Sequence, residues 1–347
     1  MRVLGIETSC DETSVAVVES DGVTTEVRSN LIYSQIAIHE PYGGIVPELA
    51  ARKHIETLAA MVRQSLEQAG DSLETIEGIA VTHGPGLIGS LLVGLNYAKA
   101  LAWARKIPFV GVNHVEGHLN SIFLEHPKLA DAPFMGLVVS GGHTSLIYVR
   151  APGDYLRIGN TRDDAVGEAF DKAAKLLGLP YPGGPAIDKL AKQGDERAIA
   201  FPRAQVKKSP LDFSFSGLKT AVRLAVQDRG GLEALDEQTR ADVAAGFQWA
   251  AVRALLLKAR RAMEQYGVNH LAVIGGVAAN SRLRAECEAF EREFGIHSYF
   301  PSLKYCTDNA AMIASLGARR LCAGERDELT LPATSRLPVG KAVEKAA

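Results

Sequence analysis

His114 and His118 stand four residues apart in the run His114-Val-Glu-Gly-His118. A helical turn takes about 3.6 residues, so a helix here puts both imidazoles on one face, within reach of a single metal ion. The preceding run, Pro108-Phe-Val-Gly-Val112, reads as a strand. The histidines then sit at a strand's C-terminal end, where open α/β sheets bind ligands. An ordinary solvated or packed histidine pair has the same spacing. Asp308, in Thr307-Asp308-Asn309, offers a third ligand far along the chain. It is equally placed to cap the helix expected over Thr307–Cys322.

Other stretches suit anions and flat ligands. Ser140-Gly-Gly-His-Thr144 combines hydroxyls with two glycines that let a ligand approach the backbone. Ile274-Gly-Gly-Val-Ala-Ala-Asn280 leaves room for a base or ribose, although Asn280 also suits an N-cap. Tyr181-Pro-Gly-Gly-Pro-Ala-Ile-Asp188 reads as a shaped turn ending in a carboxylate. Asp164, Glu168, Asp171, Lys172 and Lys175 share a helix, and by spacing alone they make a solvated face of ion pairs. Gly84-Pro-Gly-Leu-Ile-Gly89 has the glycine spacing of a dinucleotide fingerprint. It lacks the acidic end to the next strand that the fingerprint requires, so it reads as a tight turn. Phe201–Arg223 interleaves aromatics with Arg203, Lys207, Lys208 and Lys219, which suits phosphates and bases or a packed surface loop.

These residues need elements to hold them. Val3–Val18 and Phe134–Val149 each read as strand, small polar turn, strand. Two such hairpins about 130 residues apart suggest two related α/β lobes facing each other across a cleft. Apolar periodicity marks helices over Val46–Leu66, Ser90–Ala102, Asp164–Leu177, Thr239–Tyr266 and Arg282–Phe294. Gly78–Thr82 and Leu271–Ile274 read as strands. We expect an N-terminal lobe of residues 1–112, joined by an irregular segment 325–347, and a C-terminal lobe of residues 113–324.

The chain has 347 residues, a net charge of −2 and 33 glycines. A nucleic-acid partner therefore needs a local basic patch. The cysteines at 10, 287, 306 and 322 form no CxxC pair, which fits a reduced, cytoplasmic protein. No signal peptide or membrane span is expected.

Taken together, these segments resemble the bacterial TsaD family of tRNA N6-adenosine threonylcarbamoyltransferases. The pieces are GIETSCDETS, GGIVPELAARKH, GPGLIGSLLVG, NHVEGH, LVVSGGHT, GEAFDKAAKLLGLPYPGGP, FSFSGLKTAV, IGGVAANSRLR and TDNAAMIA, in order along nearly the whole chain. The resemblance implies the two-lobed α/β fold of actin, heat-shock chaperone ATPases and sugar kinases, with a duplicated core and a central nucleotide cleft. It implies a metal ion, iron or zinc, on His114, His118 and Asp308, with Glu12 a weaker catalytic candidate. It assigns Val138, Val139, Ser140, Gly141 and Gly142 to the substrate, and Asp171, Gly184, Asp188 and Asn280 to an adenylate. The implied reaction moves the threonylcarbamoyl group of threonylcarbamoyl-AMP to the adenosine 3′ of the anticodon in tRNAs reading codons that begin with A. Partners resembling TsaB and TsaE come with the family. Two other classes compete. A metallopeptidase fits poorly, because Val115 stands where zincins place their glutamate. A sugar kinase or chaperone-type ATPase has no use for paired metal histidines, since phosphate sites favour magnesium on oxygen ligands.

Overall fold

The computed structural model describes residues 1–202, 206 and 209–342. They form two compact units, one of residues 1–128 with 301–339, the other of residues 129–300 with the segment from 340. Among the described residues, no helix is long and apolar enough to cross a membrane.

The first unit is built on β1 (Arg2–Glu7), β2 (Glu12–Ser20), β3 (Thr25–Ser34), β4 (Gly78–Gly84) and β5 (Phe109–Asn113). Their order is β3-β2-β1-β4-β5. β2 runs antiparallel to both β1 and β3, whereas β4 is parallel to β1 and β5. Alternation of side chains divides these apolar strands between two cores. Leu4, Ile6, Val15, Val17, Ile79 and Val81 pack with Leu58, Met61 and Leu66 of helix Pro47–Ala69 and with Leu95 and Ala98 of helix Ile88–Arg105. Val3, Ala16, Val18, Ala80, Val110 and Val112 pack instead under helix Ala310–Cys322.

That last contact corrects the division expected from sequence, 1–112 against 113–324. Met312, Ile313, Leu316 and Leu321 are buried against the N-terminal sheet. Their burial contributes about 6–12 kcal/mol before chain entropy, so residues 301–324 belong with the first unit. Residues 113–128 follow, because Gly117 lets helix His114–Ser121 lie close to Ile313. The segment after 324 has no helix or strand up to 340, as expected, yet it is held down. Asp327 accepts from the Gly111 amide at 2.8 Å, and Lys99 donates to the Leu331 carbonyl at 2.5 Å.

The second unit repeats the plan with β6 (Phe134–Val139), β7 (Thr144–Ala151), β8 (Asp154–Asn160), β9 (His270–Ile274), β10 (His297–Tyr299) and β11 (Lys341–Ala342). Its order is β10-β9-β6-β7-β8-β11. β6–β7 and β7–β8 are antiparallel, β6–β9 and β9–β10 parallel. Apart from the added β11, order and direction match the first sheet. The duplication read from the two hairpins is therefore present in the whole sheet. Helices Val166–Leu176, Gly183–Ala191, Ser216–Gln227, Glu237–Tyr266 and Ser281–Phe294 complete this unit.

Candidate metal centre and glycine-lined turns

Helix His114–Ser121 starts directly at the end of β5. Asn113 caps it, its side-chain oxygen accepting from the amides of Val115 at 2.9 Å and Glu116 at 3.2 Å. Both histidine rings then stand on one face, their centroids 4.7 Å apart and nearly perpendicular. Asp308 reaches them from the extended link before helix Ala310–Cys322. It does not cap that helix, as one reading allowed. Asn309 is the cap, accepting from Met312 N at 3.1 Å. Ser14 and Asn30 take the next free amides, those of Ala310 and Ala311. The helix therefore starts three residues later than expected, and the Asp308 carboxylate is left for the histidines.

Asp308 Oδ1 lies 2.9 Å from His118 Nε2 and 3.4 Å from His114 Nε2. The three ligand atoms lie within 4.8 Å of one another, so the group could hold a metal ion. The outer face of His114 is fixed too, with Nδ1 2.9 Å from Glu7 Oε2 and 3.1 Å from Ser9 Oγ. A carboxylate behind a ligating imidazole sets its tautomer and raises its basicity. His118 Nδ1 is buried with no hydrogen-bond partner, which leaves Nε2 as its working nitrogen. Two imidazole nitrogens and one carboxylate oxygen make a donor set that suits zinc or iron better than magnesium.

The electrostatics favour a cation. Burial opposes charge on His114, but Asp308 and Glu7 override it and hold its pKa well above the usual histidine value. Burial likewise opposes charge on Asp308, yet His114 and His118 hold its carboxyl well below the ordinary range. Glu12 goes the other way. Burial first, then Asp308 and Asp11, push its carboxyl well up, so it holds a proton readily.

In the second unit, Val138 and Val139 end β6 and are wholly buried, paired on the sheet with Ser145 and Thr144. Ser140 closes the turn, donating N–H to the His143 carbonyl at 2.9 Å and accepting the His143 amide on Oγ at 3.1 Å. Gly141 and Gly142 have open space where a Cβ would stand. Gly167 at the start of helix Val166–Leu176 packs against this turn, where a Cβ would come within 2.8 Å of Gly141. The turn thus lies at a helix N-terminus, a setting that favours anions.

Asp171 accepts the Gly183 amide at 2.7 Å. Helix Gly183–Ala191 begins there, so Gly184 and Asp188 are helical rather than part of a turn. Asp188 accepts from Ser281 Oγ at 2.9 Å. Asn280 caps helix Ser281–Phe294 through Leu283 N and donates to Gln248. Helix Gly183–Ala191 therefore ties all four proposed adenylate positions into one arrangement, with Gly184 open to solvent or ligand. Lys172 pairs with Asp164 at 2.7 Å and Glu168 at 2.9 Å, as a solvated face would. Of the basic stretch, Arg203, Lys207 and Lys208 lie outside the described residues. Lys219 is half-buried on helix Ser216–Gln227. Glu7 and Ser9 were missed as site residues. A carboxylate closing the apolar strand Val3–Ile6 was the available signal for Glu7.

The fold belongs to the actin, heat-shock chaperone and sugar-kinase class. The chain superposes on component A of the (R)-2-hydroxyglutaryl-CoA dehydratase of Acidaminococcus fermentans with a TM-score of 0.57 and 16% identity, covering 93% of this chain and 99% of that one. It superposes on full-length HypF in its phosphate- and nucleotide-bound form with a TM-score of 0.59 and 15% identity, over 92% of this chain and 46% of that one.

Sequence comparison then fixes the family. The model for TsaD, tRNA N6-adenosine threonylcarbamoyltransferase, matches residues 26–315. The chain is 52% identical to the tRNA N6-adenosine threonylcarbamoyltransferase of Syntrophus aciditrophicus, over 98% of each chain. It is 54% identical to that of Anaeromyxobacter dehalogenans, over 94% of this chain and 96% of the relative. The protein belongs to the TsaD family.

Proposed function

We propose that this protein transfers the threonylcarbamoyl group of threonylcarbamoyl-AMP to the N6 amine of the adenosine 3′ of the anticodon, in tRNAs reading codons that begin with A. Family membership along nearly the whole chain carries this reading, and the His114/His118/Asp308 group supplies a matching centre. The amine is a weak nucleophile, so the donor must be a mixed anhydride with a good leaving group. The new N–C bond forms as the carbonyl carbon–oxygen bond to AMP breaks, and the amine gives up a proton.

His114, His118 and Asp308 would hold iron or zinc, which when bound supplies Lewis-acid polarisation of the acyl group. Glu7 keeps His114 in the tautomer that offers Nε2. Glu12 is the weaker candidate, a carboxyl that holds a proton beside Asp308. Val138, Val139, Ser140, Gly141 and Gly142 are assigned to the donor, with the amides of Gly141 and Gly142 in that turn donating to its oxygens. Asp171, Gly184, Asp188 and Asn280 are assigned to the adenylate. Lys219, with Arg203, Lys207 and Lys208, is assigned to tRNA phosphates. Partners resembling TsaB and TsaE are expected to join the assembly.

Incubation with tRNA and threonylcarbamoyl-AMP, followed by nucleoside mass spectrometry, tests the reading. Threonylcarbamoyladenosine is expected, with loss of product in His114→Ala. Absence of product with the partner proteins present refutes the reading.

A further inference from the structure

Helix Pro47–Ala69 turns a stripe toward the first sheet, and Ala50, Leu58, Met61 and Val62 on that stripe are buried. His54 lies on the same stripe with none of its surface exposed. A polar ring in an apolar stripe must be hydrogen-bonded to be tolerated, and the partners of His54 lead to the metal centre.

His54 Nε2 lies 3.0 Å from the Cys10 carbonyl oxygen, so this nitrogen carries the hydrogen. Nδ1 is then the acceptor, 2.8 Å from Thr13 Oγ1. Burial pushes the His54 pKa down, in keeping with this neutral form. Cys10 belongs to the turn between β1 and β2, and three successive carbonyls of that turn are held by three separate elements. Ser9 O accepts from Leu87 N at 2.8 Å, Cys10 O from His54, and Asp11 O from Gln35 N at 3.0 Å. Two of these donors are backbone amides, and His54 is the side-chain donor. The same turn carries Ser9, whose Oγ is 3.1 Å from His114 Nδ1.

We propose that His54 is a positioning residue for the metal centre: by holding the Cys10 carbonyl it fixes the turn that sets Ser9 against His114. The inference rests on reading His114, His118 and Asp308 as the metal ligands. Removing a direct partner of a ligating histidine lowers metal affinity about 10–100-fold. His54 acts one step further out, so its loss is expected to cost about three- to tenfold.

The test uses His54→Leu, His54→Gln and Thr13→Val. Gln keeps an amide donor for the Cys10 carbonyl. Val keeps the shape of Thr13 and removes only its hydroxyl, so this variant stays informative if His54→Leu fails to fold. Two quantities are measured: zinc affinity by chelator competition, and the imidazole ¹⁵N signals of His114 in metal-free protein. Leu and Val are expected to shift the His114 signals and weaken zinc binding, and Gln to restore most of both. Unchanged His114 signals and zinc affinity within twofold in folded His54→Leu, or in Thr13→Val, would overturn the proposal. Failure of the wild-type protein to bind zinc, iron or another divalent ion would instead defeat the metal reading, while the His114 signals still decide the role of His54.

Discussion

Gly5→Ala tests how Asp308 is delivered to the histidines. Gly5 lies on β1 under the first turn of helix Ala310–Cys322. A Cβ there would stand 2.6 Å from the Ala310 carbonyl oxygen and 2.7 Å from Ala314 Cβ. Carbon atoms pack at about 3.5–4.0 Å, so the helix start must retreat by roughly 1 Å. No flexible side chain can absorb the shift, because the obstacles are backbone and an alanine. Overpacking of this kind costs about 1–3 kcal/mol, a fall in Tm of about 2–12 °C for a unit of this size. Asp308 is two residues before Ala310 and moves with it. A 1 Å retreat takes its carboxylate out of the 2.9 Å contact with His118, and zinc affinity is expected to fall about tenfold, or 1.4 kcal/mol. Calorimetry and chelator competition read the two effects. Gly217→Ala is the control, since nothing lies within 4 Å of its Cβ position and alanine is the better helix former by about 1 kcal/mol. Wild-type Tm and zinc affinity in Gly5→Ala would show that the helix is not seated by this contact.

Asp308→Asn is expected to lose metal with little change in Tm, whereas Asn309→Ala, which removes the cap, loses about 0.5–2 kcal/mol of stability; equal destabilisation by the two would return the capping role to Asp308. Metal binding through His114 must displace a proton held well above the usual histidine pKa of about 6.5. Zinc affinity should therefore keep rising with pH above 6.5, by up to about tenfold per unit, and a flat profile from pH 7 to 8 would contradict this. Burial pushes the Cys287 thiol up to about 12, while Cys322 is exposed. Iodoacetamide at pH 8 should label Cys322 and spare Cys287 in the folded protein, and equal labelling by peptide mass spectrometry would refute it.

Much of this was legible in the sequence where the signal is local. The spacing of His114 and His118 announces their shared helical face, and two hairpin patterns announce the repeated sheet. What escaped depended on distant parts of the chain. Helix Ala310–Cys322 reads as the end of the second half, because nothing in its own residues says that they pack under Val3, Val18 and Val110. Asp308 and Asn309 are adjacent and equally suited to capping. The choice between them is made by Ser14 and Asn30, nearly 300 residues away, which take the amides of Ala310 and Ala311. Likewise Asp188 looked like a loop carboxylate because Pro and Gly precede it. Gly183 instead opens a helix, with its amide held by Asp171.

The first unit is assembled from residues 1–128 and 301–339, which has a consequence for the order of synthesis. His114 and His118 leave the ribosome long before Asp308. At about 5–20 residues per second, the intervening segment of residues 129–300 takes roughly 10–35 s to make. Through that interval the nascent first sheet lacks the helix that covers one of its faces, and its histidine pair lacks the Asp308 carboxylate. The group of His114, His118 and Asp308 therefore comes together only after the second unit has been translated. The centre is completed late in translation, by a carboxylate that arrives together with the missing half of the core.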